Sequence, residues 1–205
     1  MKNQIKSIIL RDMIETDVDD YVRWFTAETE WTAWDAPWEP IDSNEAAQRG
    51  DWMKYYESVK RLSDNVVRWK FEIEYEGKHI GWVSSYLIDE NYEWISADNI
   101  GNRQTYCAIG IDICEKTFWD NGIGTKALQA FIQYLVDNGH DELYTQTWSG
   151  NKHMLSCASK LGFEVCKRNV GEREINGEKY DGLTLRFKKK PLPSDMIVYT
   201  QEQKA

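Results

Sequence analysis

Tyr106-Cys107-Ala108-Ile109-Gly110-Ile111-Asp112-Ile113, a short polar break, then Phe118-Trp119-Asp120-Asn121-Gly122-Ile123-Gly124-Thr125 lead into a helical pattern that runs to Leu135. The first eight residues are a nearly continuous apolar run of strand length, as expected for a central strand buried on both faces. After the glycines, Ala127, Leu128, Phe131, Ile132, Leu135 and Val136 recur at helical spacing, and Asn138-Gly139 supplies a stop. A helix start carries unpaired N–H groups and the positive end of the dipole, and glycines let an anion approach the backbone. Strand, Gly-x-Gly turn and helix therefore make a phosphate cradle, or else a tight turn that uses two glycines.

Two common phosphate motifs do not fit. The dinucleotide fingerprint would take Gly122, Gly124 and Ala127, but no acidic residue closes a following strand at the required distance. The nucleotide P-loop requires Gly-Lys-Ser/Thr, and Gly124-Thr125-Lys126 has the order wrong.

A third motif fits better. Phe118-Trp119-Asp120-Asn121-Gly122-Ile123-Gly124 resembles the acetyl-CoA-binding turn of the GCN5-related N-acetyltransferases, the GNAT family. Trp119 stands at that family's Arg/Gln position, a departure resembling its RimJ/RimL-like branch, with Asp120 replacing the usual glycine. Thr147-Trp148-Ser149-Gly150-Asn151 and the helix end Lys160-Leu161-Gly162-Phe163 resemble the family's next strand, its Asn, and its Lys-x-Gly-Phe terminus. The resemblance covers roughly residues 8–187. It implies an α/β (α+β) GNAT fold: a mixed, mostly antiparallel sheet, splayed at the central strand and flanked by helices. It also implies acetyl-CoA as cosubstrate, with no metal. Main-chain groups of Ile111, Asp112 and Ile113 would meet the pantetheine arm and the acetyl carbonyl. Trp119, Asp120, Asn121, Gly122, Ile123, Gly124 and Thr125 would wrap the pyrophosphate. Asn151 would bond the pantetheine arm, or serve as a plain helix cap. Asp112 and Asp120 are unfavourable neighbours for an anion, which Lys126 offsets.

The family's catalytic groups do not carry over. The tyrosine-acid position holds Ala158, the two glutamate-base positions hold Ala108 and Gln146, and the branch's serine position holds Met154. Base and acid are left unassigned. Water-mediated proton loss toward Asp35 or Glu39 is the working expectation.

Trp31-Thr32-Ala33-Trp34-Asp35-Ala36-Pro37-Trp38-Glu39-Pro40 is the second unusual stretch. Its prolines preclude a continuous helix. Trp31, Trp34 and Trp38 with Asp35 and Glu39 form either an amine-binding wall or a loop packed onto the body. The family's acceptor site borders this segment.

The bulk numbers fit one domain over residues 1–190 with a tail at 191–205. The 205 residues carry a formal charge of −9 and ten tryptophans. That charge argues against nonspecific nucleic-acid binding and is compatible with a cationic amine or with solubility alone. No signal core or membrane-length run is present, so a cytoplasmic, non-membrane protein is expected. Cys107, Cys114, Cys157 and Cys166 show no CxxC spacing, and His79, His140 and His153 are scattered, so neither a metal site nor a disulfide framework is expected. The oligomeric state stays open, a homodimer included.

The remaining elements read in order. Residues 5–10 form a first strand. Thr16 caps a helix whose face is Val18, Tyr21, Val22 and Phe25, and Ser43 caps a second helix to Leu62. Residues 66–75 alternate as a half-buried strand, with Arg68, Lys70, Glu72 and Glu74 on the polar side, and turn at Glu76-Gly77 into a strand to Ile88. Residues 89–103 read as a loop and 142–148 as a strand. Asn176-Gly177 joins a final hairpin over 163–187, and residues 196–199 could add a short strand. The expected activity is N-acetylation of a primary amine, either a small cationic amine or a protein or peptide N-terminus. A CoA-binding module without turnover and an aromatic-rich interaction protein are the rivals.

Overall fold

The computed structural model describes residues 7–188 and the backbone of 198–199. The described strands are β1 (Ile8–Arg11), β2 (Lys70–Tyr75), β3 (Lys78–Asp89), β4 (Trp94–Ile95), β5 (Thr105–Ile113), β6 (Leu143–Trp148), β7 (Phe163–Ile175), β8 (Glu178–Phe187) and β9 (Val198–Tyr199). They form one sheet in the order β7-β8-β6-β5-β3-β2-β1-β9, with β4 paired to β3. The helices are α1 (Asp17–Thr26), α2 (Glu45–Lys60), α3 (Ile123–Asp137) and α4 (Lys152–Leu161). All pairings are antiparallel except β5 with β6 and β1 with β9. This is the mixed, mostly antiparallel architecture that the sequence implied.

The sheet splays at β5. Its parallel pairing with β6 comprises two residue pairs, Cys107 with Leu143 and Ala108 with Tyr144. Along its other edge β5 pairs with β3 continuously from Thr105 to Ile113. Beyond Ala108, then, β5 keeps one neighbour and loses the other. At the apex the buried Thr145 hydroxyl donates to the Ile109 carbonyl at 2.8 Å, continuing the link by a side chain.

Alternation along β5 separates two cores. Ile109, Ile111 and Ile113 pack on α3 and α4, together with Val83, Leu128, Phe131 and Leu161. Trp82 and Cys114, on the opposite face, pack under α1 with Val18, Tyr21, Val22 and Trp24. Gly81 permits the close fit of β3 to β5: its φ is +149°, and a Cβ there would collide with the Asp112 carbonyl.

The structure moves several sequence expectations. Thr16 makes no capping bond; Asp17 instead accepts from the Ile14 N–H at 2.9 Å and is gripped by Arg11. Asn44, not Ser43, caps α2, accepting from the Ala47 N–H at 3.0 Å. β2 begins at Lys70 because the preceding chain is folded around Arg68, whose guanidinium donates to the Ser63 and Val66 carbonyls and to Asp12. The expected loop at 89–103 contains β4 and a 3-10 turn, Ala97–Asn99. Residues 1–6, which include the first two of the expected strand over 5–10, and the tail apart from the backbone of β9, lie outside the described residues.

The largest difference concerns the polar side of β2. Glu72 is 1 % exposed, not solvated. α1 and α2 cover this face, so its charges find partners inside. Glu72 accepts from the Tyr21 hydroxyl at 2.7 Å and faces His79 Nε2 at 3.0 Å. His79 Nδ1 lies 3.1 Å from Asp20 and 3.3 Å from Asp17, and Arg11 holds both oxygens of Asp17. Asp17, Asp20 and His79 offer ligand atoms within 4.8 Å of one another, a grouping the sequence did not suggest. Here they form ion pairs. Lys70 lies 4.5–5.0 Å from the ring centres of Tyr21, Trp52, Tyr55 and Trp82 and 3.8 Å from Glu72. These are cation–π distances.

Burial works against the charge of His79, but hydrogen bonds to Asp20 and Glu72 and the charges of Glu72 and Asp17 lift it to about 9. A raised folded-state value means that its stabilisation is complete below pH 6.5 and is lost as pH climbs through 9. We predict that the melting temperature falls across pH 6.5–9.5, corresponding to a few kcal/mol. A His79→Gln variant should show a much flatter profile over that window. Parallel profiles for the two proteins would refute a charged His79.

Candidate active site

The parting of β5 from β6 opens a cleft of about 810 Å³ that passes between the two faces of the sheet. On the α3–α4 side it is bounded by Ile111, Ile113, Trp119, Asp120 and residues 122–125 of the glycine turn, the α4 cap Asn151, and Lys152, His153 and Lys160 of α4. On the α1 side the walls are Phe25, Trp31, Trp34, Asp35, Trp82, Ser84, Tyr86, Gly110 and Asp112. The β3–β5 register explains that second wall. Trp82 faces Asp112, Ser84 faces Gly110 and Tyr86 faces Ala108, so alternate residues of both strands point the same way.

The glycine turn is built as its sequence suggests. Gly122 precedes α3 with φ +75°, a conformation that favours glycine, and no side chain caps the helix. The first N–H groups of α3 thus have no capping side chain beside the cleft. A Cβ on Gly124 would meet nothing nearer than 3.7 Å, the side chains of Ile111 and Ile113. Glycine at 124 is therefore not demanded by packing within the protein, and the space it leaves belongs to the cleft.

Trp119 has a structural task. Its indole N–H donates to the Ile113 carbonyl at 2.7 Å, folding the turn back onto the end of β5. Asn151 has two. Its Oδ1 accepts from the Met154 N–H at 2.9 Å, capping α4, and its Nδ2 donates to the Trp34 carbonyl. The Trp34 ring then packs edge-on against His153, with centroids 4.2 Å apart. The tryptophan loop is thereby tied across the cleft to the start of α4. One amide hydrogen of Asn151 is left for any ligand.

The acidic residues near the turn are arranged less unfavourably than the sequence suggested. The Asp112 side chain lies on the α1 side, away from α3, and the Asp120 carboxylate lies 3.1 Å from His153 Nδ1. Lys152 and Lys160 add positive charge on the α4 side.

Most of the expected site residues line the cleft, but three do not. Asn121 points away, with its amide reaching the Thr117 carbonyl at 3.5 Å. Trp38 packs on Trp148, and the Arg173 guanidinium lies 4.5 Å from its ring centre. Glu39 is exposed and off the cleft, which removes it as an acid facing a bound amine. The sequence reading missed Lys152, His153 and Lys160, and also Trp82, Ser84 and Tyr86. The last three alternate along β3 at a period of two, a signal that becomes useful only once the register with β5 is known. Tyr86 bonds Gln146 at 3.2 Å, and Gln146 donates to the Tyr92 carbonyl at 2.8 Å. Gln146, named at a base position, is thus part of this polar wall.

The charge state of that wall is unusual. Burial, and next the charge of Asp35, hold the Asp112 carboxyl well above the ordinary carboxylate range; Lys70 and a hydrogen bond from Trp82 act against this. Burial raises Asp35. Burial and then Asp35 raise Tyr86.

The profile of the acetyltransferase (GNAT) domain matches residues 7–164. No curated protein sequence matches the chain significantly. Among solved structures, RimL, a ribosomal L7/L12 alpha-N-protein acetyltransferase in complex with CoA, superposes with a TM-score of 0.62 at 16% identity, over 88% of this chain and 93% of its own. The yncA protein of Salmonella typhimurium, solved with its cofactor acetyl-CoA, gives 0.62 at 15%, over 93% and 99%. A ribosomal-protein-alanine N-acetyltransferase from Brucella melitensis gives 0.59 at 16%, over 86% and 97%. At such identities the likeness reports the fold and does not select a branch. Among the described residues, no helix is long and apolar enough to cross a membrane. The domain match spans most of the sequence, and the chain belongs to the GNAT family of acetyltransferases.

Proposed function

We propose that the chain transfers the acetyl group of acetyl-CoA to a primary amine by direct attack, as an enzyme of the RimJ/RimL-like branch. The observation that carries this reading is the forked sheet. One continuous cleft joins an uncapped, glycine-opened helix start on one face to an acidic, aromatic wall on the other. An anionic, elongated cosubstrate suits the first and an ammonium suits the second.

The residues fit the cosubstrate in kind. Backbone groups of Gly110–Ile113, which have no β6 partner, would hold an extended amide-bearing arm as a further strand would. The N–H groups from Gly122 to Thr125 would take the pyrophosphate, with Lys152 and Lys160 nearby. When bound, the cosubstrate supplies a thioester carbonyl carbon open to a nucleophile. The protein contributes position: it fixes the acceptor nitrogen near that carbon and excludes bulk water. Phe25, Trp31, Trp34 and Trp82 give flat apolar walls, and Asp35 favours a positive group. Among the described residues, the α1 side of the cleft carries no arginine, so amines with an adjacent carboxylate or phosphonate are disfavoured.

Two measurements test the reading. Free-CoA release across polyamines, aminoglycosides, peptides with free N-termini and free amino acids should favour cationic acceptors over free amino acids by at least about tenfold. A preference for free amino acids would contradict the acidic wall as an acceptor site. In the second, Gly124→Val should keep the wild-type melting temperature to within a few degrees, since its Cβ meets only ordinary contacts, and should weaken acetyl-CoA binding by more than about tenfold. Unaltered acetyl-CoA affinity would remove the α3 turn from the site.

A further inference from the structure

The assignment that follows rests on the acetyl-transfer reading and names the group that takes the acceptor's proton. An aliphatic amine arrives as an ammonium and cannot attack until it is neutral. Two carboxylates line the α1 side of the cleft, Asp35 and Asp112, brought there from distant parts of the chain. Asp112 stands on β5 beyond the point where β6 departs, opposite Trp82. Asp35 belongs to the tryptophan loop. That loop is fixed at one end by the Trp31 indole donating to the Trp24 carbonyl at 3.0 Å, and at the other by the bond from Asn151 to the Trp34 carbonyl.

The fold treats these two acids differently from the buried acids of the same layer. Asp17 is gripped by Arg11, and Glu72 is bonded to Tyr21 and His79. Asp35 and Asp112 have no such cation among the described residues. Lys70 is the cation that acts on Asp112 from β2, and it is held among four aromatic rings beside Glu72. Asp112 is half-buried and Asp35 is exposed, and an acid pair with no dedicated counter-ion at the edge of a cleft attracts a ligand's cation. Here both acids open onto the cleft where an ammonium must enter.

We propose that Asp112 is the catalytic base of the acetyl transfer, and that Asp35 acts through it as a positioning residue that keeps it basic. The ammonium gives one proton to the Asp112 carboxylate. The freed nitrogen lone pair forms the C–N bond to the thioester carbonyl carbon as the C–S bond breaks. Sulfur keeps the bonding electron pair and takes the second nitrogen proton. Asp112 returns its proton to water past Asp35. In sum, ammonium and thioester give amide, thiol and one proton.

The groups facing the pair all bear on its titration. Lys70 lowers Asp112, and burial and Asp35 raise it. Cys114, just past β5, and Tyr86 on β3 are themselves held protonated, Cys114 by burial and then Asp112, Tyr86 by burial and then Asp35. His153, Lys152 and Lys160 from α4 line the other side of the cleft. The pair therefore titrates as a unit, above the usual carboxylate range.

The experiment is a set of pH–rate profiles for wild type, Asp112→Asn and Asp35→Asn, with acetyl-CoA affinity measured separately by calorimetry. Each protein is run with an ordinary alkylamine and with trifluoroethylamine, which is largely neutral at pH 7. Asp112→Asn should lose at least 100-fold in kcat with the alkylamine at pH 7 and less than tenfold with trifluoroethylamine, with acetyl-CoA affinity unchanged within threefold. Asp35→Asn removes a neighbouring negative charge, so the rising limb of the profile should move to lower pH. Equal losses with both amines, or a wild-type profile in Asp112→Asn, would overturn the assignment alone. A wild type that binds acetyl-CoA but acetylates no amine would overturn both it and the acetyl-transfer reading.

Discussion

The structure depends on one interrupted strand pairing. β5 and β6 share two residue pairs, and the Thr145 hydroxyl makes the last link to β5 before they separate. Buried backbone N–H and C=O groups require partners. Along Gly110–Ile113, one edge of β5 is left to whatever enters the cleft. An open edge inside a protein is costly unless neighbouring elements hold it rigid. Here three do. β3 pairs along the whole opposite edge, Ile109, Ile111 and Ile113 anchor the strand on α3, and Trp119 fastens the following turn to Ile113. The place where α3 starts, and so where its N–H groups point, follows from that arrangement.

The two faces of the sheet solve different problems. The α3–α4 face is an ordinary apolar core. The α1–α2 face is a layer of aromatic rings with charges threaded through it, from Arg11 and Asp17 through His79 and Glu72 to Lys70. Buried ion pairs contribute little net stability, because desolvation offsets their attraction. Their partners are specific, however, and they fix α1 against β2 and β3. The tryptophan loop follows directly from α1, so this layer also sets where Asp35 stands. Asp35 and Asp112 are acids of the same face with no such ion pair among the described residues, and there the layer meets the cleft.

Much of the architecture was legible in local sequence. The apolar run of β5, the glycine turn, the stripe of α3, the Asn151 cap and the Asn176-Gly177 hairpin all occur where their chemistry places them. What was not legible depended on tertiary neighbours. Alternation in β2 separated two faces correctly, but polarity does not reveal that a helix will cover the polar one; Glu72 is buried and Lys70 half-buried as a result. The Asp112 side chain was read beside the anion site because its backbone is there, whereas strand geometry turns the carboxylate to the opposite face. Trp38 and Glu39 lie only a few residues beyond Asp35, yet the chain turns after Pro37 and carries them away from the cleft. Asn44 in place of Ser43 is a one-residue shift between two good capping types, which propensity alone does not resolve.

On this reading the unpaired edge of β5 and the first turn of α3 together receive acetyl-CoA. Amide hydrogen exchange resolved to single residues, with and without acetyl-CoA, tests it most directly. The account predicts strong added protection at Gly110–Ile113 and at Ile123–Thr125, with the β7–β8 hairpin unchanged. Unaltered exchange in both segments at saturating acetyl-CoA would contradict it.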